Sequence, residues 1–441
     1  MMARRTARRA LWRWLAGGLG PLATGAALAV AVARADEPPA WTIAVDPGSV
    51  DRSNLPIRVP LGVPPALANA VMRIVLGDGS QIEGQLVEPG LLAGRAGRTG
   101  AATLRRDLLF VLPHLPAGAA VEVTAEPAPP AAEPKPPRLT WTDEPESVSL
   151  LLGGKPLVRY EKPTYDVANE ASRVPTYKPF HHVFDPATGI RLTKGDGGQY
   201  THHRGIFFGY NRIAHGAGLA TMSDCWHCSG KSRQEHRETL VESAGAVAGI
   251  QRVTIDWIGS GGEAVLGETR ELDVVPVAGG TVIDFASRLE AEAPVRLDGD
   301  PQHAGVHFRA SNEVYESTKS QTYYLRPDGK AAPGAYRNWP QDKTSVNVPW
   351  HAASFVVGGQ RYTALRANRP ANPGEARMSE RDYARFGSYF AHDLEPGKPL
   401  EVGYRFWIQP GEMTVEEAAR IAADYARPAR VAVRQAKPAG K

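Results

Sequence analysis

Twelve histidines punctuate this 441-residue chain, and seven of them fall between residues 181 and 236: His181, His182, His202, His203, His215, His227 and His236. Imidazole titrates near neutrality and is the commonest metal ligand, so such crowding points to acid/base chemistry or to metal binding. The densest stretch is QYTHHRGIFFGYNRI, residues 199–213, where His202, His203 and Arg204 run straight into an aromatic, strand-like segment. Adjacent side chains on a strand point to opposite faces, so both histidines reach one pocket only if the backbone before Ile206 is irregular. The expectation is one histidine and Arg204 on the working face, with the other histidine supporting from behind.

A second cluster is DCWHC, residues 224–228, which holds the only two cysteines. In an oxidising compartment Cys225 and Cys228 read as a disulfide, closing a loop so short that it shapes the turn more than it stabilises the fold. The competing reading is a metal site. Cys-x-x-Cys is a spacing that zinc sites use, and the histidine set for that alternative is His202, His203 and His227, with copper or zinc as the ion. A third cluster is PQHAGVHFRAS, residues 301–311, in which His303, Gly305, His307 and Arg309 lie two apart. On a strand they line one face, opposite Ala304, Val306 and Phe308. His202, His203, Arg204 and His303 are therefore the expected catalytic groups, with His307 and Arg309 binding substrate. Asp224, Glu235, Glu238, Glu313, Glu316 and Asp393 are candidate acid/base partners, but no spacing selects a pair.

The elements that must position these residues are predominantly strands. QRVTIDWIGSGGEAVLGETRELDVVPVAGGTVIDFASRLEAEA, residues 251–293, is a succession of hairpins in which Val253, Ile255 and Trp257 alternate with polar residues. Leu400, Val402, Tyr404, Phe406 and Ile408 alternate with Glu401, Gly403, Arg405, Trp407 and Gln409, giving one core face and one that could line a groove. Thr414 and Glu417 form a capping-box pattern ahead of a helix whose inner face is Val415, Ala418, Ala419, Ala422 and Tyr425. Alternating βαβ units and a dinucleotide fingerprint are absent. The fold class read from this pattern is mainly β, with a large antiparallel sandwich over residues 139–428.

A proline-rich stretch, AEPAPPAAEPKPPR at residues 125–138, reads as an extended spacer. It follows a small β domain at residues 40–124, whose strand–turn–strand pattern around Gly77-Asp78-Gly79 suits an immunoglobulin-like sandwich of accessory role. Residues 429–441 read as a tail. Residues 1–35 carry paired arginines, an apolar stretch and Ala33-Arg34-Ala35, the pattern of a cleaved export signal, with Arg8-Arg9 loosely matching the twin-arginine type. That segment holds six arginines and no acid, so the remaining chain has 45 basic and 47 acidic residues and no electrostatic footprint for nucleic acid. A periplasmic or secreted protein with no membrane span in the mature chain is expected.

The order THHRGIFFGYNRI, DCWHC, QEHRE, HAGVHFRAS, PWHAASFVVGGQRYTALRANRP and LEVGYRFWIQPGEMTVEEAARIAADY resembles the bacterial PmoA-like family, catalogued as methane oxygenase, over residues 145–428. The resemblance implies a galactose-mutarotase-like supersandwich that accompanies sugar processing. It places His202, His203 and Arg204 on hallmark positions, and His236 and His303 on later ones, with His236 joining the substrate-binding set. Methane oxidation itself does not carry over, because a particulate methane oxygenase subunit is an integral membrane protein. The function expected is a carbohydrate-active enzyme, an epimerase, lyase or hydrolase, working through histidine acid/base chemistry without a cofactor. The alternatives are a histidine-ligated copper or zinc enzyme and a glycan-binding envelope protein without catalysis.

Overall fold

A computed structural model of the chain describes residues 39–94, 103–129, 138–300 and 302–435. The expected export signal at 1–35 and most of the proline-rich stretch lie outside the described residues. The large body consists of two antiparallel sheets packed face to face. One has nine strands, ordered Arg233–Ala244, Gly249–Ile258, Ala264–Val277, Gly280–Glu290, Leu400–Pro410, Gln360–Asn368, Trp350–Val357, Tyr323–Arg326 and Gly329–Lys330. The other has eight, running from Arg377–Arg381 through Arg385–Tyr389, Ala304–Arg309, Ile206–Tyr210, Phe180–Val183, Lys155–Glu161 and Ser147–Leu152 to Leu139–Glu144. Thr221–Ser223, Arg212–His215, Val295–Asp298 and His392–Leu394 form a smaller sheet of four.

Period-two alternation builds the sandwich core. Val253, Ile255 and Trp257 face Ile206, Phe208 and Phe308 across the two sheets, and Leu400, Val402, Tyr404, Phe406 and Ile408 join the same core. Phe208 meets Trp257 edge-on, with ring centroids 5.1 Å apart. Burying each such side chain contributes roughly 1.5–3 kcal/mol, and a one-residue slip would turn the whole set outward. The opposite side chains of Ala304–Arg309, His307 and Arg309, point away from this core, and Phe207 pairs with His307 on the neighbouring strand. That outward face carries the site.

The back of the nine-stranded sheet is covered. Trp407, expected to face a groove, is buried beneath the helix Val415–Ala426. Thr414 Oγ1 accepts the Glu417 N–H at 3.1 Å, as the capping pattern predicts. Ile421 takes an inner position, whereas Ala419 is exposed. The small domain lies against this same surface. It forms a seven-stranded sheet, and its own core includes Ile43, Ile57, Val59, Leu108 and Phe110. From the opposite face Val87 and Leu109 reach into a shared core with Val247, Ile250, Val275 and Trp407. Buried polar contacts reinforce the joint: Arg52 pairs with Asp424 at 3.0 Å, and Gln85 Oε1 accepts the N–H groups of Val247 and Ala248 at 3.0 and 2.9 Å. The first residues of the stretch 125–138 complete the strand Val121–Pro127. Arg430–Gln435, within the expected tail, is also a strand, paired antiparallel with Trp41–Asp46. No helix among the described residues is long and apolar enough to cross a membrane.

Candidate functional site

Three loops meet above the outward face of the eight-stranded sheet. The first precedes Ile206–Tyr210. A turn there, closed by the His203 N–H donating to Tyr200 O at 2.9 Å, breaks strand alternation. The His202 and His203 rings consequently sit 4.2 Å apart instead of on opposite faces. His203 is buried against Phe207 and Trp226, and neither of its ring nitrogens has a hydrogen-bond partner. His202 lies nearer the surface.

The second loop is the turn Asp224–Cys228. Its backbone rests on the strand below, with the N–H groups of Cys225 and Trp226 donating to Tyr210 O at 2.9 and 3.1 Å. Gly209 makes this approach possible, because a Cβ there would lie 2.7 Å from Cys225 O. Asp224 Oδ1 accepts the N–H groups of Trp226 and His227, and Oδ2 holds His227 Nδ1 at 2.8 Å. The third loop repeats this arrangement. Asp300 Oδ1 holds His303 Nδ1 at 2.7 Å, while Asn211 Nδ2 donates to Asp300 Oδ2 at 2.8 Å. Lys178 ties the first two loops together by donating to the carbonyls of His202 and Trp226.

One ring nitrogen from each of His202, His227 and His303 lies within 4.8 Å of the other two. With both Nδ1 atoms on aspartates, Nε2 is the free ligand atom of His227 and His303. Trp226 forms the floor, and His307 lies beneath it, 4.8 Å away between ring centroids. Burial, and after it the neighbouring His227, pulls His202 down to about 2. Burial also lowers His303, against the opposing pull of Asp300. Neutral imidazole is the form that binds a metal. The side chains of His227 and His303 are 33% and 28% exposed, so the cluster opens to solvent.

Several expected site residues lie elsewhere. Arg204 is fully buried and turned away, donating to the carbonyls of Thr201, Pro175 and Val174, with its guanidinium over the Tyr177 ring. It closes the C-terminal end of the helix Glu170–Thr176 and has no path to substrate. Arg309 is likewise fully buried, donating to Ala310 O and Tyr383 O, and His307 donates from Nε2 to Ala304 O. His236 bonds Tyr160 Oη at 3.2 Å, on a different sheet. The alternative metal set changes membership, His303 replacing His203. Cys225 and Cys228, expected as a disulfide, are separate buried thiols. The Cys225 Sγ is directed at Arg233 O and Ile258 O, and the Cys228 Sγ at Cys225 O. Sequence reasoning passed over Asp300 and Lys178. For Asp300 a signal exists: Asp224–His227 and Asp300–His303 are both Asp-x-x-His.

A family model described as a family of unknown function, DUF6807, matches residues 147–423. The chain belongs to this family. DUF6807 thus takes in both large sheets, apart from the edge strand Leu139–Glu144, and all three loops of the histidine cluster, whereas the PmoA-like grouping rests on motif resemblance. Among solved structures, a glycosyl hydrolase family 38 protein and an alpha-mannosidase, both from Enterococcus faecalis, are similar at 7% identity, with TM-scores of 0.44 and 0.45. Each similarity covers 91% of this chain, and 48% and 46% of the respective solved chains, so this chain spans about half their length. A galactose mutarotase related enzyme from Lactobacillus acidophilus is similar at 7% identity and a TM-score of 0.30, over 63% of this chain and 98% of that one. No curated protein matches the sequence.

Proposed function

We propose that this DUF6807 protein is an exported, metal-dependent enzyme acting on a carbohydrate, with a zinc or copper ion held by His202, His227 and His303. The observation that carries the reading is the convergence of three ring nitrogens within 4.8 Å, two of them from histidines whose other nitrogen is held by a carboxylate. Carboxylate–histidine pairs of this kind fix the tautomer and raise ligand basicity. Around a tetrahedral zinc with bonds near 2.0–2.1 Å, ligand nitrogens lie roughly 3.4 Å apart. Small side-chain rotations close that gap, and His202 Nε2 has no hydrogen bond to give up.

Three protein ligands and an opening to solvent are the pattern of a catalytic site, whereas structural zinc sites are closed. An ion so held supplies a Lewis acid and a water acidified toward neutrality. Asp224 and Asp300 keep both imidazoles oriented, Lys178 holds two of the loops in register, and Trp226 shields the inner side from water. The carbohydrate assignment follows the motif resemblance of residues 145–428.

The test is elemental analysis of protein purified without chelators or an affinity histidine tag. Near-stoichiometric zinc or copper is expected, falling by more than half in His227→Ala and His303→Ala at unchanged fold. A metal-free protein whose turnover of a sugar substrate survives chelators would sink the metal reading. The Asp224–His227 and Asp300–His303 pairs would then serve as general bases.

A further inference from the structure

Tyr200 combines two properties that ordinary packing does not reconcile. Its backbone is left-handed, φ +56°, which a bulky L-residue adopts at a cost of roughly 1–2 kcal/mol. Yet the residue is 41% exposed. The ring stacks on Tyr383, with centroids 5.6 Å apart and planes 28° apart, and Tyr315 meets it edge-on. It lies 6.2 Å from the His202 ring. A strained backbone thus holds an aromatic face open beside the histidine cluster.

The other side of the cluster is polar. Gln302, next in the chain to His303, lines a hollow of about 470 Å³ with Tyr336, Asn338 and Arg381, and with Asp342, whose carboxylate is paired with Arg337 at 3.3 Å. Arg381 donates to Gln302 Oε1, Asn338 Oδ1 and the Glu380 carbonyl, all uncharged acceptors, and forms no ion pair among the described residues. Behind it Arg385 is buried, bonded to Gln302 O and Ser379 Oγ, also without a carboxylate partner. Burial, aided by the like charge of Arg381 and opposed by Tyr383, draws Arg385 down to about 10. Contacts and chain connectivity together join the two sides: Tyr200 stacks on Tyr383, two residues along the chain from Arg381, while Arg381 donates to Gln302, the chain neighbour of His303, and the His303 ring lies 6.3 Å from that of His202.

The geometry points to a sugar-acid subsite, in which the ring of a hexuronic acid lies on Tyr200 and its carboxylate faces Arg381. This rests on the metal-centre reading, since it places the sugar beside His202 and His303. Amide side chains satisfy hydroxyls as donor and acceptor, and an uncompensated guanidinium favours a carboxylate over a neutral hydroxymethyl group. The aromatic shelf recognises the ring and the arginine recognises the acid.

Calorimetric titration of the metal-loaded full-length protein with D-glucuronate, D-galacturonate and D-mannuronate, each against its parent hexose, tests this. At least one acid is expected to bind about tenfold more tightly than its hexose, which is ~1.4 kcal/mol. Arg381→Gln should abolish the difference, Arg381→Lys should keep most of it, and Tyr200→Ala should weaken acid and hexose alike. Metal content should be unchanged in all three variants. Absence of any acid preference, or a preference that survives Arg381→Gln, overturns the subsite. Failure to bind metal would instead sink the centre, and the acid preference would still be read on the metal-free protein.

Discussion

At the scale of single residues, the proposed metal centre leans on two aspartates that hold its imidazoles. Asp224 and Asp300 each hold an imidazole by Nδ1, and loss of such an outer partner typically lowers metal affinity by about 10–100-fold. Asp300→Asn should therefore weaken zinc binding by roughly that factor, measured by competition with a chromophoric chelator, while thermal stability hardly changes. Equal affinity in the variant would show that Asp300 does not orient the ligand. Their repeated Asp-x-x-His spacing is visible in the sequence, but a motif of two residues gains weight only once both copies are known to converge. His202 was legible from its cluster. The role of His203 was not, because its burial depends on Trp226, which arrives from the other loop.

Elements explain why Arg204 misleads. On a strand it would share a face with His202, but the turn at Tyr200 rotates it under the helix Glu170–Thr176, where the carbonyls of Val174 and Pro175 need donors, as does Thr201 O in its own loop. Replacing Arg204 with Met should strip buried carbonyls of their partners and destabilise the fold by ~3 kcal/mol or more. Denaturant unfolding would measure it, and the folded fraction should still take up metal stoichiometrically. Metal lost without a change in stability would return Arg204 to the site. Strand alternation was the most readable signal: the positions of Val253, Ile255, Trp257 and of Leu400 to Ile408 follow directly from period two. Where the opposite faces go was not readable, because helix and small domain cover Trp407 through contacts far apart in sequence.

Across the whole molecule, histidine is also a liability in acid. His181, His182 and His307 are buried and held well below their ordinary value, first by burial and then by nearby cations such as Arg270, Arg191 and Arg385. They stay neutral in the fold but take up protons in the unfolded chain below about pH 6.5. Their contribution is full above that pH and is lost as pH falls, each by up to ~1.4 kcal/mol per pH unit. The melting temperature of metal-free protein should drop steeply between pH 6.5 and 5, before most carboxylates titrate. A flat profile there would mean that these histidines become protonated inside the fold.

The pairing of Arg430–Gln435 with Trp41–Asp46 also bears on synthesis. Trp41–Asp46 pairs with Val121–Pro127 on its other side, so until the last strand emerges it is a bare sheet edge. About 300 residues separate Pro127 from Arg430, and at ~5–20 residues per second the edge waits roughly 15–60 s on the ribosome. During that interval it is a ready seat for a chaperone, or for the closing strand of a neighbouring chain. Exchange of that strand between two copies would yield intertwined dimers with every native pairing intact.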